Sequence, residues 1–372
     1  MAQKPKHQEI SRQLRADIAA GRYGADKRLP SEPQLVKKFG VSRPTVGRAL
    51  RDLQAEGLIE RRAGSGTYVR KATGATATVT TRLLGLLIPG LGTTEIFEVI
   101  CGELASLARV QDYSLLWGGS TQPLHDTDAS FEHAEELCRQ FVARKVSGVF
   151  FAPFELTPQM ERANRRLVQL LRQGGVPVVL LDRDILPFPN RGEFDLVGID
   201  NVAGGFMLAE HLIKLGCQHI RFVARPLSAP TVDARIAGAR EAMSRHRLEP
   251  QPKWVAYGDP GDSRFVRSLV AGRQTDAFIC ANDYTAAVLM RSLESVGVRV
   301  PRDVRVVGFD DVKYATLLSV PLTTIHQPCR DIAVIAFRAM LERIAEPTIP
   351  ARTFLVTPRL VVRESCGAYL PR

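Results

Sequence analysis

Apolar residues recur at helical spacing near the start of the chain. Ile10, Leu14 and Ile18 lie four positions apart, which predicts an amphipathic helix. Two glycines and a proline in "GRYGADKRLP" then break the pattern. Ser31 follows and is a typical N-terminal cap for a short second helix with Leu35 on its apolar side. The opening segment therefore predicts two short helices with an irregular connection.

A third helix is predicted from about Ser42 to Ala55, beginning inside the stretch "FGVSRPTVGRAL". Pro44 stands in its first turn, the one place in a helix where the missing N–H would have had no partner. Proline also disfavours a helical backbone at the preceding residue, so the cap is either Ser42 or Arg43. Such a helix start exposes N–H groups and a partial positive charge, which together favour a phosphate.

The two sides of this third helix differ in character. The apolar side consists of Val46, Ala49, Leu50 and Leu53. The other side consists of Arg43, Gly47, Arg48 and Arg51. Glycine destabilises a helix by about 1 kcal/mol relative to alanine, so Gly47 suggests the close approach of a bulky partner. A capped surface helix with solvated arginines is the alternative interpretation.

The segment "LIERRAGSGTYVR" predicts a β-hairpin, with Gly64, Ser65 and Gly66 at its turn. Three helices and a hairpin within residues 1–71 are the elements of a winged helix-turn-helix. Residues 72–81 are rich in Ala and Thr and lack an apolar period, so they are interpreted as a linker.

From residue 82 onward, short apolar runs alternate with helical patterns. The runs are "RLLGLLIP", "YSLLWGG", "GVFFAP", "VPVVLLD", "DLVGID", "HIRFVA", "KWVAYG", "DAFICAN" and "VRVVGFDD". Repeated strand–helix units with continuous apolar strands predict parallel sheets covered on both faces. We therefore expect an α/β body of two doubly wound lobes. Ligands of such sheets bind beyond the carboxyl ends of the strands.

Charge is distributed unevenly along the chain. The formal net charge is +11, and residues 1–71 hold 16 Lys/Arg against 7 Asp/Glu. The remaining 301 residues are nearly neutral, with 34 Lys/Arg against 32 Asp/Glu. A small basic module suits a polyanion such as DNA. Ribosomal, membrane-surface and simply soluble basic domains share this composition, so charge alone leaves the partner open.

The cysteines and the first residues bear on cofactors and location. The six cysteines, at positions 101, 138, 217, 280, 329 and 366, include no close pair. This spacing argues against a zinc site or a disulfide framework and favours a reducing compartment. The start "MAQKPKHQEISR" lacks the apolar core of a signal peptide, and "LLGLLIPGL" is too short to span a bilayer. We expect a cytoplasmic protein without a metal or other cofactor.

The stretch from "LPSEPQLVKKFGVSRPTVGRAL" to "EGLIERRAGSGTYV" closely resembles the GntR-type winged-helix DNA-binding domain, and the match covers residues 7–70. The resemblance implies that the third helix enters the major groove, that the wing touches the minor groove or backbone, and that a dimer binds a two-fold operator. The DNA contacts carried over by position are Ser42, Arg43, Pro44, Thr45, Arg48 and Gly64.

Three positions depart from this family pattern. The family often has arginine at the positions of Pro33 and Gly47, and a polar residue at that of Ala63. General backbone binding is therefore the safer expectation, and the operator sequences of relatives are a poor guide.

Residues 82–372 resemble the effector-binding domain of the LacI/GalR family, which shares its fold with periplasmic sugar-binding proteins. The matching stretches include "GVPVVLLDRD", "VGIDNVAGGFMLAEHLIKLGCQHIRFVA", "ICANDYTAAVLMRSLESVGVRVPRDVRVVGFDD" and "PLTTIHQP". The pairing of modules looks like the arabinose-responsive repressors of the GntR family. It implies a type I periplasmic-binding-protein-like fold, with lobe 1 at about 82–184 and 329–346 and lobe 2 at about 185–327 and 350–366.

This second resemblance implies a small polar effector, such as a sugar, between the lobes. Sugars require planar polar side chains that bond paired hydroxyls and an aromatic face for the ring. The candidates by position are Phe97, Asp182, Arg235, Asn282, Asp310 and Gln327. The aspartates would accept hydroxyl protons, Arg235 would donate as a fork, and Phe97 would stack on the sugar.

Each candidate also has an ordinary structural interpretation. The aspartates could cap helices or pair with Arg183 or Lys313, the arginine could be a surface charge, and the phenylalanine could belong to the core. Ala152 and Cys329 replace side chains found in some sugar-binding members. A ligand different from that of the best-known members is therefore expected.

The sequence thus predicts a DNA-binding transcriptional regulator, a repressor controlled by a small polar effector. It predicts a homodimer on duplex DNA, no membrane partner and no enzyme activity. Two alternatives stay open: a sugar-processing enzyme that uses Asp182 and Asp310 as paired carboxylates, and a DNA-binding protein that ignores ligands.

Overall fold

The computed structural model describes residues 6–19, 22–23, 28–55, 58–62, 66–69, 82–88, 95–117, 127–156, 159–273 and 275–370. The chain divides into two compact units, Met1–Thr80 and Thr81–Arg372. The linker predicted at 72–81 lies outside the described residues. The domain boundaries drawn from the sequence remain predictions.

The first unit contains the elements of a winged helix-turn-helix. Its described elements are helices α1 (Lys6–Ala19), α2 (Glu32–Phe39) and α3 (Arg43–Ala55) and strands β1 (Ile59–Arg62) and β2 (Gly66–Val69). The two strands pair antiparallel, as the hairpin pattern predicts. The buried apolar residues described in this unit form one core: Ile10, Leu14, Leu29, Leu35, Val46, Ala49, Leu50, Leu53 and Ile59.

Local hydrogen bonds fix the ends of α2 and the start of α3. The side-chain oxygen of Gln34 accepts from the backbone N–H of Ser31 at 2.8 Å and from its hydroxyl at 3.0 Å, which closes the start of α2. Gly40 ends α2 in the left-handed conformation, at φ 63°. The carbonyl of Ser42 accepts from the N–H of Val46 at 3.2 Å. Ser42 is therefore the cap of α3, which decides the register that the sequence left open.

The second unit alternates strands and helices along most of its length. Its described helices are α4 (Glu95–Val110), α5 (Thr127–Ala143), α6 (Met160–Gln173), α7 (Asn201–Lys214), α8 (Pro230–Arg245), α9 (Ser263–Val270), α10 (Asp283–Ser295) and α11 (Cys329–Ala345). Its described strands are β3 (Arg82–Leu87), β4 (Tyr113–Trp117), β5 (Gly148–Phe151), β6 (Val178–Leu181), β7 (Asp195–Ile199), β8 (Ile220–Ala224), β9 (Val255–Tyr257), β10 (Ala277–Cys280), β11 (Arg305–Val307), β12 (Thr324–His326), β13 (Thr353–Val356) and β14 (Arg359–Val361).

Most of these strands belong to two parallel sheets, one in each lobe. Among the described residues, lobe 1 contains a six-stranded sheet in the order β13-β7-β6-β5-β3-β4, and lobe 2 a four-stranded sheet in the order β11-β10-β8-β9. A short antiparallel pair joins β12 to β14. Neighbours such as β3 and β5 pair parallel, so helical crossovers connect the strands. The predicted doubly wound α/β architecture is confirmed.

The boundary between the lobes differs from the one expected from the sequence. Residues 185–327 and 350–366 are expected in lobe 2, but β7 and β13 pair within the sheet of lobe 1. Asp195 gives the physical reason, because its buried carboxylate binds Arg343 of α11 at 2.9 Å and the backbone N–H of Arg352 at 2.9 Å. These bonds hold β7 beside α11 and β13. The chain first enters lobe 2 at α7.

Helices α7 and α8 pack with their backbones in direct contact. A Cβ atom on Gly205 would lie 2.0 Å from the carbonyl oxygen of Arg235, and one on Gly238 would lie 1.9 Å from that of Val202. No other residue type allows backbones to come this close. The contact fixes α8 on lobe 2 and places Arg235 at its centre.

We expect Gly205→Ala to destabilise the second unit by about 3 kcal/mol, because the added methyl group overlaps the backbone of α8. Gly102→Ala is the matched control, since Gly102 also lies within a helix but a Cβ there would meet nothing within 4 Å. This control should stabilise by roughly 0.5–1 kcal/mol through helix propensity. Urea unfolding followed by the fluorescence of Trp117 and Trp254 measures both, and equal midpoints for the two variants would contradict the close packing.

Candidate functional site

The outer face of α3 carries most of the predicted DNA contacts. The contacts on this face are exposed or half-buried: Ser42, Arg43, Pro44, Thr45 and Arg48. A Cβ on Gly47 would meet nothing within 4 Å, so the face is open at that position. Gly64, the contact predicted on the wing, lies outside the described residues.

The first turn of α3 differs in detail from the expected row of unpaired N–H groups. Pro44 has no N–H, and the N–H of Thr45 donates to the carbonyl of Ser42 at 3.0 Å. The hydroxyls of Ser42 and Thr45 lie 2.8 Å apart. Arg43 makes an exposed ion pair with Glu32 at 3.2 Å, and such a pair is weak enough to be exchanged. A phosphate at this turn would meet hydroxyls, a guanidinium and the positive end of the helix dipole.

A buried cluster of polar side chains lies at the carboxyl ends of the lobe strands. Asp182 follows β6, Asp310 lies beyond β11, Gln327 follows β12, and Arg235 projects from α8. None of these four residues is more than 8 % exposed. The amide of Gln327 donates to Oδ1 of Asp310 at 2.7 Å, and Nη2 of Arg235 lies 3.9 Å from the same oxygen. The structure therefore brings four of the predicted effector contacts together.

Arg235 is held both at its edges and at its face. Its Nε donates to Oδ1 of Asn201 at 2.8 Å, and its Nη1 donates to the carbonyl of Ala281 at 2.5 Å. Its guanidinium carbon lies 3.6 Å from the centroid of the Phe309 ring, a stacking contact. Arg235 is therefore not a surface charge. Its Nε and Nη1 are engaged by the protein, so the complete donor fork expected from the sequence is not available to a ligand.

Phe97 and Asn282 already have structural partners. Phe97 is 2 % exposed in the main core, and the guanidinium carbon of Arg183 lies 5.5 Å from its ring centroid. Asn282 caps α10, because its Oδ1 accepts from the N–H of Thr285 at 2.8 Å. These contacts explain both side-chain positions, and the binding roles of Phe97 and Asn282 stay predictions.

Two residues that sequence reasoning missed as site residues belong to the cluster. Nη1 of Arg183 lies 2.8 Å from Oε1 of Glu155, and its Nε lies 3.8 Å from Oδ2 of Asp182. Among the described residues, Nε of Arg183 and Oδ1 of Asp182 are buried without a hydrogen-bond partner. The charged run "DRD" after an apolar strand is a usable signal for Arg183. Glu155 has no such signal, because its role depends on a contact with the other lobe.

The backbone is unusual at both aspartates. Asp182 has φ 67° and Asp310 has φ 121°, a region that side-chain-bearing residues rarely adopt. The N–H of Asp182 donates to the carbonyl of Val197, and that of Asp310 donates to the carbonyl of Ile325, both at 2.8 Å. Neighbouring strands thus hold each aspartate in place, as is common at functional sites.

Burial dominates the protonation of the cluster. It raises the pKa of Asp310 to about 7, although Arg235 and the hydrogen bond from Gln327 act in the opposite direction. Burial also raises the pKa of Asp182 and lowers that of Arg235. Arginine keeps its proton throughout the accessible range. The charge of the cluster therefore changes near neutral pH through Asp310.

A crevice of about 380 Å³ opens beside the cluster. Its lining includes Glu95, Asp310, Lys313, His326 and Cys329. The N–H of Lys313 donates to the carboxylate of Glu95 at 2.9 Å, so the two lobes touch at its edge. The volume lies within the range of small-molecule sites.

None of the described helices combines the length and apolar character needed to cross a membrane. The described residues contain no group of three or more His, Cys, Asp or Glu placed to hold a metal ion. All six cysteines are free thiols.

Comparison with known proteins connects both units to bacterial regulators. A profile described as bacterial regulatory proteins, gntR family, matches residues 6–69. A profile described as periplasmic binding protein-like domain matches residues 209–366.

Two relatives and one solved structure are similar to this chain over most of its length. The arabinose metabolism transcriptional repressor of Geobacillus stearothermophilus is 26 % identical over 97 % of both chains. The HTH-type transcriptional repressor PurR of Vibrio parahaemolyticus is 30 % identical over 77 % of this chain and 81 % of its own. The structure of the transcriptional regulator CelR with cellobiose has a TM-score of 0.65 at 23 % identity, covering 87 % of this chain and 91 % of the other.

The raised pKa of Asp310 predicts a stability that falls as pH rises. An unfolded aspartate releases its proton near pH 4, whereas folded Asp310 keeps it to about pH 7. Between these values the folded state binds more protons, so the free energy of unfolding decreases with increasing pH. Asp310→Asn stays neutral and should match the wild type below about pH 4, where Asp310 is protonated in both the folded and the unfolded state, but exceed its melting temperature at about pH 8.

Thermal unfolding of the full chain across this range measures the difference. Asp112→Asn, the same exchange at an exposed position, is the control for the substitution itself. A difference between Asp310→Asn and the wild type that does not vary with pH would contradict the prediction.

Proposed function

The chain belongs to the bacterial transcriptional regulators that join a GntR-type DNA-binding domain to a LacI/GalR-type effector domain, and on this premise we propose a repressor whose operator affinity is controlled by a neutral sugar. The observation that carries the effector proposal is the buried pair Asp182 and Arg183, which leaves one acceptor and one donor without partners. A sugar hydroxyl both donates and accepts hydrogen bonds. Hydroxyls of a bound sugar would therefore supply a donor for Asp182 and an acceptor for Arg183.

The charges of the cluster favour a neutral effector over an acid. Arg183 is paired with Glu155 at 2.8 Å, and Arg235 faces Asp310 at 3.9 Å. Asp182 adds a further negative charge beside them. A carboxylate ligand would meet these acidic groups in a buried setting, where like charges are costly. One relative regulates arabinose metabolism and one structural neighbour was solved with cellobiose, which agrees with a sugar.

The DNA-binding part of the proposal rests on the outer face of α3. Arg43 and Arg48 are exposed there, beside the hydroxyls of Ser42 and Thr45. We assign these residues and Pro44 to the major groove and its flanking phosphates. Gly64 would approach the DNA from the wing.

Three further properties complete the proposal. The protein acts as a homodimer, because readers of this type bind two-fold operators. It acts in the cytoplasm, where the bacterial chromosome lies. It binds its effector without converting it, in keeping with the relatives above, which are regulators.

We expect Arg48→Ala to weaken binding to duplex DNA and to lower the log–log salt slope by about one, because it removes one phosphate contact. The probe is a duplex that the wild type selects from a random oligonucleotide pool. Arg245→Ala removes an exposed charge from the second unit and should bind like the wild type. Fluorescence anisotropy over a salt series measures both variants, and an unchanged slope and affinity for Arg48→Ala would disprove the placement of α3.

We expect at least one neutral sugar, tested as a panel that includes L-arabinose and D-ribose, to raise the melting temperature of the full chain. A ligand that binds only the native state stabilises it. Arg235→Gln should bind that sugar about 100-fold more weakly, since a charged hydrogen-bonding group is lost from a buried site. Arg240→Gln on the same helix is the control, because Arg240 is exposed and lies over Trp254.

The same sugar must then change DNA affinity by the factor by which operator DNA changes sugar affinity. Calorimetric titration with and without saturating operator DNA measures this coupling. Equal sugar affinities in the two titrations would exclude control of DNA binding by that sugar.

A further inference from the structure

Two loops from opposite lobes meet at the rim of the effector site. Glu155 and Leu156 lie in the loop after β5, and Leu227 and Ala229 lie in the loop after β8. The N–H of Leu156 donates to the carbonyl of Leu227 at 2.8 Å. The two leucines have φ of 60° and 61°, a conformation that persists only where the surroundings hold it. The backbones of both loops therefore adopt conformations that the contact between the lobes stabilises.

Glu155 connects this rim contact to the buried cluster. Its Oε2 accepts from the N–H of Ala229 at 3.2 Å, immediately before α8 begins. Its Oε1 lies 2.8 Å from Nη1 of Arg183. One carboxylate thus binds a backbone group of lobe 2 and a guanidinium of lobe 1 at the same time.

Each loop is anchored within its own lobe. The N–H and carbonyl of Phe154 bond to the amide of Asn164 in α6, at 2.7 and 3.1 Å. The carbonyl of Ala229 accepts from the N–H of Val232 in the first turn of α8 at 2.9 Å. Because neither loop can follow the other, Glu155 must lose its bond to Ala229 when the lobes separate.

Arg183 is the residue whose orientation depends on Glu155. With Nη1 paired to Glu155, the unpartnered Nε lies 3.8 Å from Asp182. The guanidinium carbon lies 5.5 Å from the ring centroid of Phe97. Without the carboxylate, the long side chain would regain rotamer freedom, and Nε would no longer be fixed beside Asp182.

We propose that Glu155 is a positioning residue that makes effector recognition by Arg183 depend on closure of the two lobes. With the lobes together, the N–H of Ala229 holds Glu155, and Glu155 holds Arg183 with its Nε beside Asp182. With the lobes apart, the first bond is lost and the orientation of Arg183 is lost with it. The inference rests on the proposed effector site and adds its coupling to lobe movement.

Glu155→Ala tests whether Glu155 helps to hold the two lobes together. The experiment uses purified full-length protein without any ligand. Cys329 reports on opening, because it is buried and lines the crevice where the lobes meet. Its alkylation by iodoacetamide, mapped by mass spectrometry, should become roughly fivefold faster in this variant, as expected for the loss of one net hydrogen bond. Glu161→Ala removes only an exposed ion pair with Arg165 and should leave the rate unchanged.

Cys138 and Cys280 are fully buried in the cores of lobe 1 and lobe 2 and serve as internal references. Faster alkylation at Cys329 alone supports opening of the cleft. Equal rates at Cys329 in Glu155→Ala and the wild type would overturn the proposal.

A double-mutant cycle tests whether Glu155 acts on effector binding through Arg183. L-arabinose and D-ribose are the probes, and calorimetry measures their affinities. Glu155→Gln keeps an acceptor for Ala229 but loses the charge that binds Arg183. It should weaken binding roughly tenfold in the wild-type background and less than about twofold in the Arg183→Gln background. A tenfold loss that persists beside Arg183→Gln would overturn the proposal. If neither sugar binds the wild type, neither of them is the effector, and the Cys329 rates still decide the role of Glu155.

Discussion

A guanidinium buried between two lobes needs a hydrogen-bond partner for nearly every donor. The position of Arg235 therefore depends on the contacts that hold α8 in place. The backbones of α7 and α8 touch at Gly205 and Gly238, so α8 cannot slide or rotate without a backbone clash. That contact sets Arg235 against the carbonyl of Ala281 and the ring of Phe309. The rest of the effector cluster is arranged around this one fixed charge.

The cluster shows how buried charges are made tolerable. An isolated buried ion is costly, and removing one partner of a buried pair costs more than the pair contributes. Here the guanidinium groups of Arg183 and Arg235 alternate with the carboxyl groups of Glu155, Asp182 and Asp310. Burial raises the pKa of Asp310 to about 7, so a proton can reduce the negative charge that the arginines leave unbalanced. A neutral, hydroxyl-rich ligand adds hydrogen bonds to this cluster without adding charge.

The sequence pattern predicts those structural features that depend on the spacing of residues close together in the chain. The apolar runs predicted β3 to β11 because most of these strands are buried in a parallel sheet, but the run "DLVGID" has the same pattern whichever lobe it belongs to. Its place was decided by Asp195 binding Arg343 and Arg352, which lie far away along the chain. At the site, the strand ends pointed to Asp182, which lies beside Arg183 in the buried polar cluster, and its binding role stays a prediction. The role of Glu155 depends on the other lobe and could not be predicted from neighbours in sequence.

Left-handed backbone conformations recur where the chain leaves a strand and enters the cleft. Asp182 and Leu156 have them in lobe 1, and Asp310 and Leu227 have them in lobe 2. Such conformations need support from the surrounding structure, and the strand carbonyls of Val197 and Ile325 supply it for the two aspartates. The cleft is therefore preorganised through its backbone, which lowers the cost of ordering side chains when a ligand binds. Effector affinity must consequently respond to changes within the sheets that never contact the ligand, because the sheets set the positions of the groups that do.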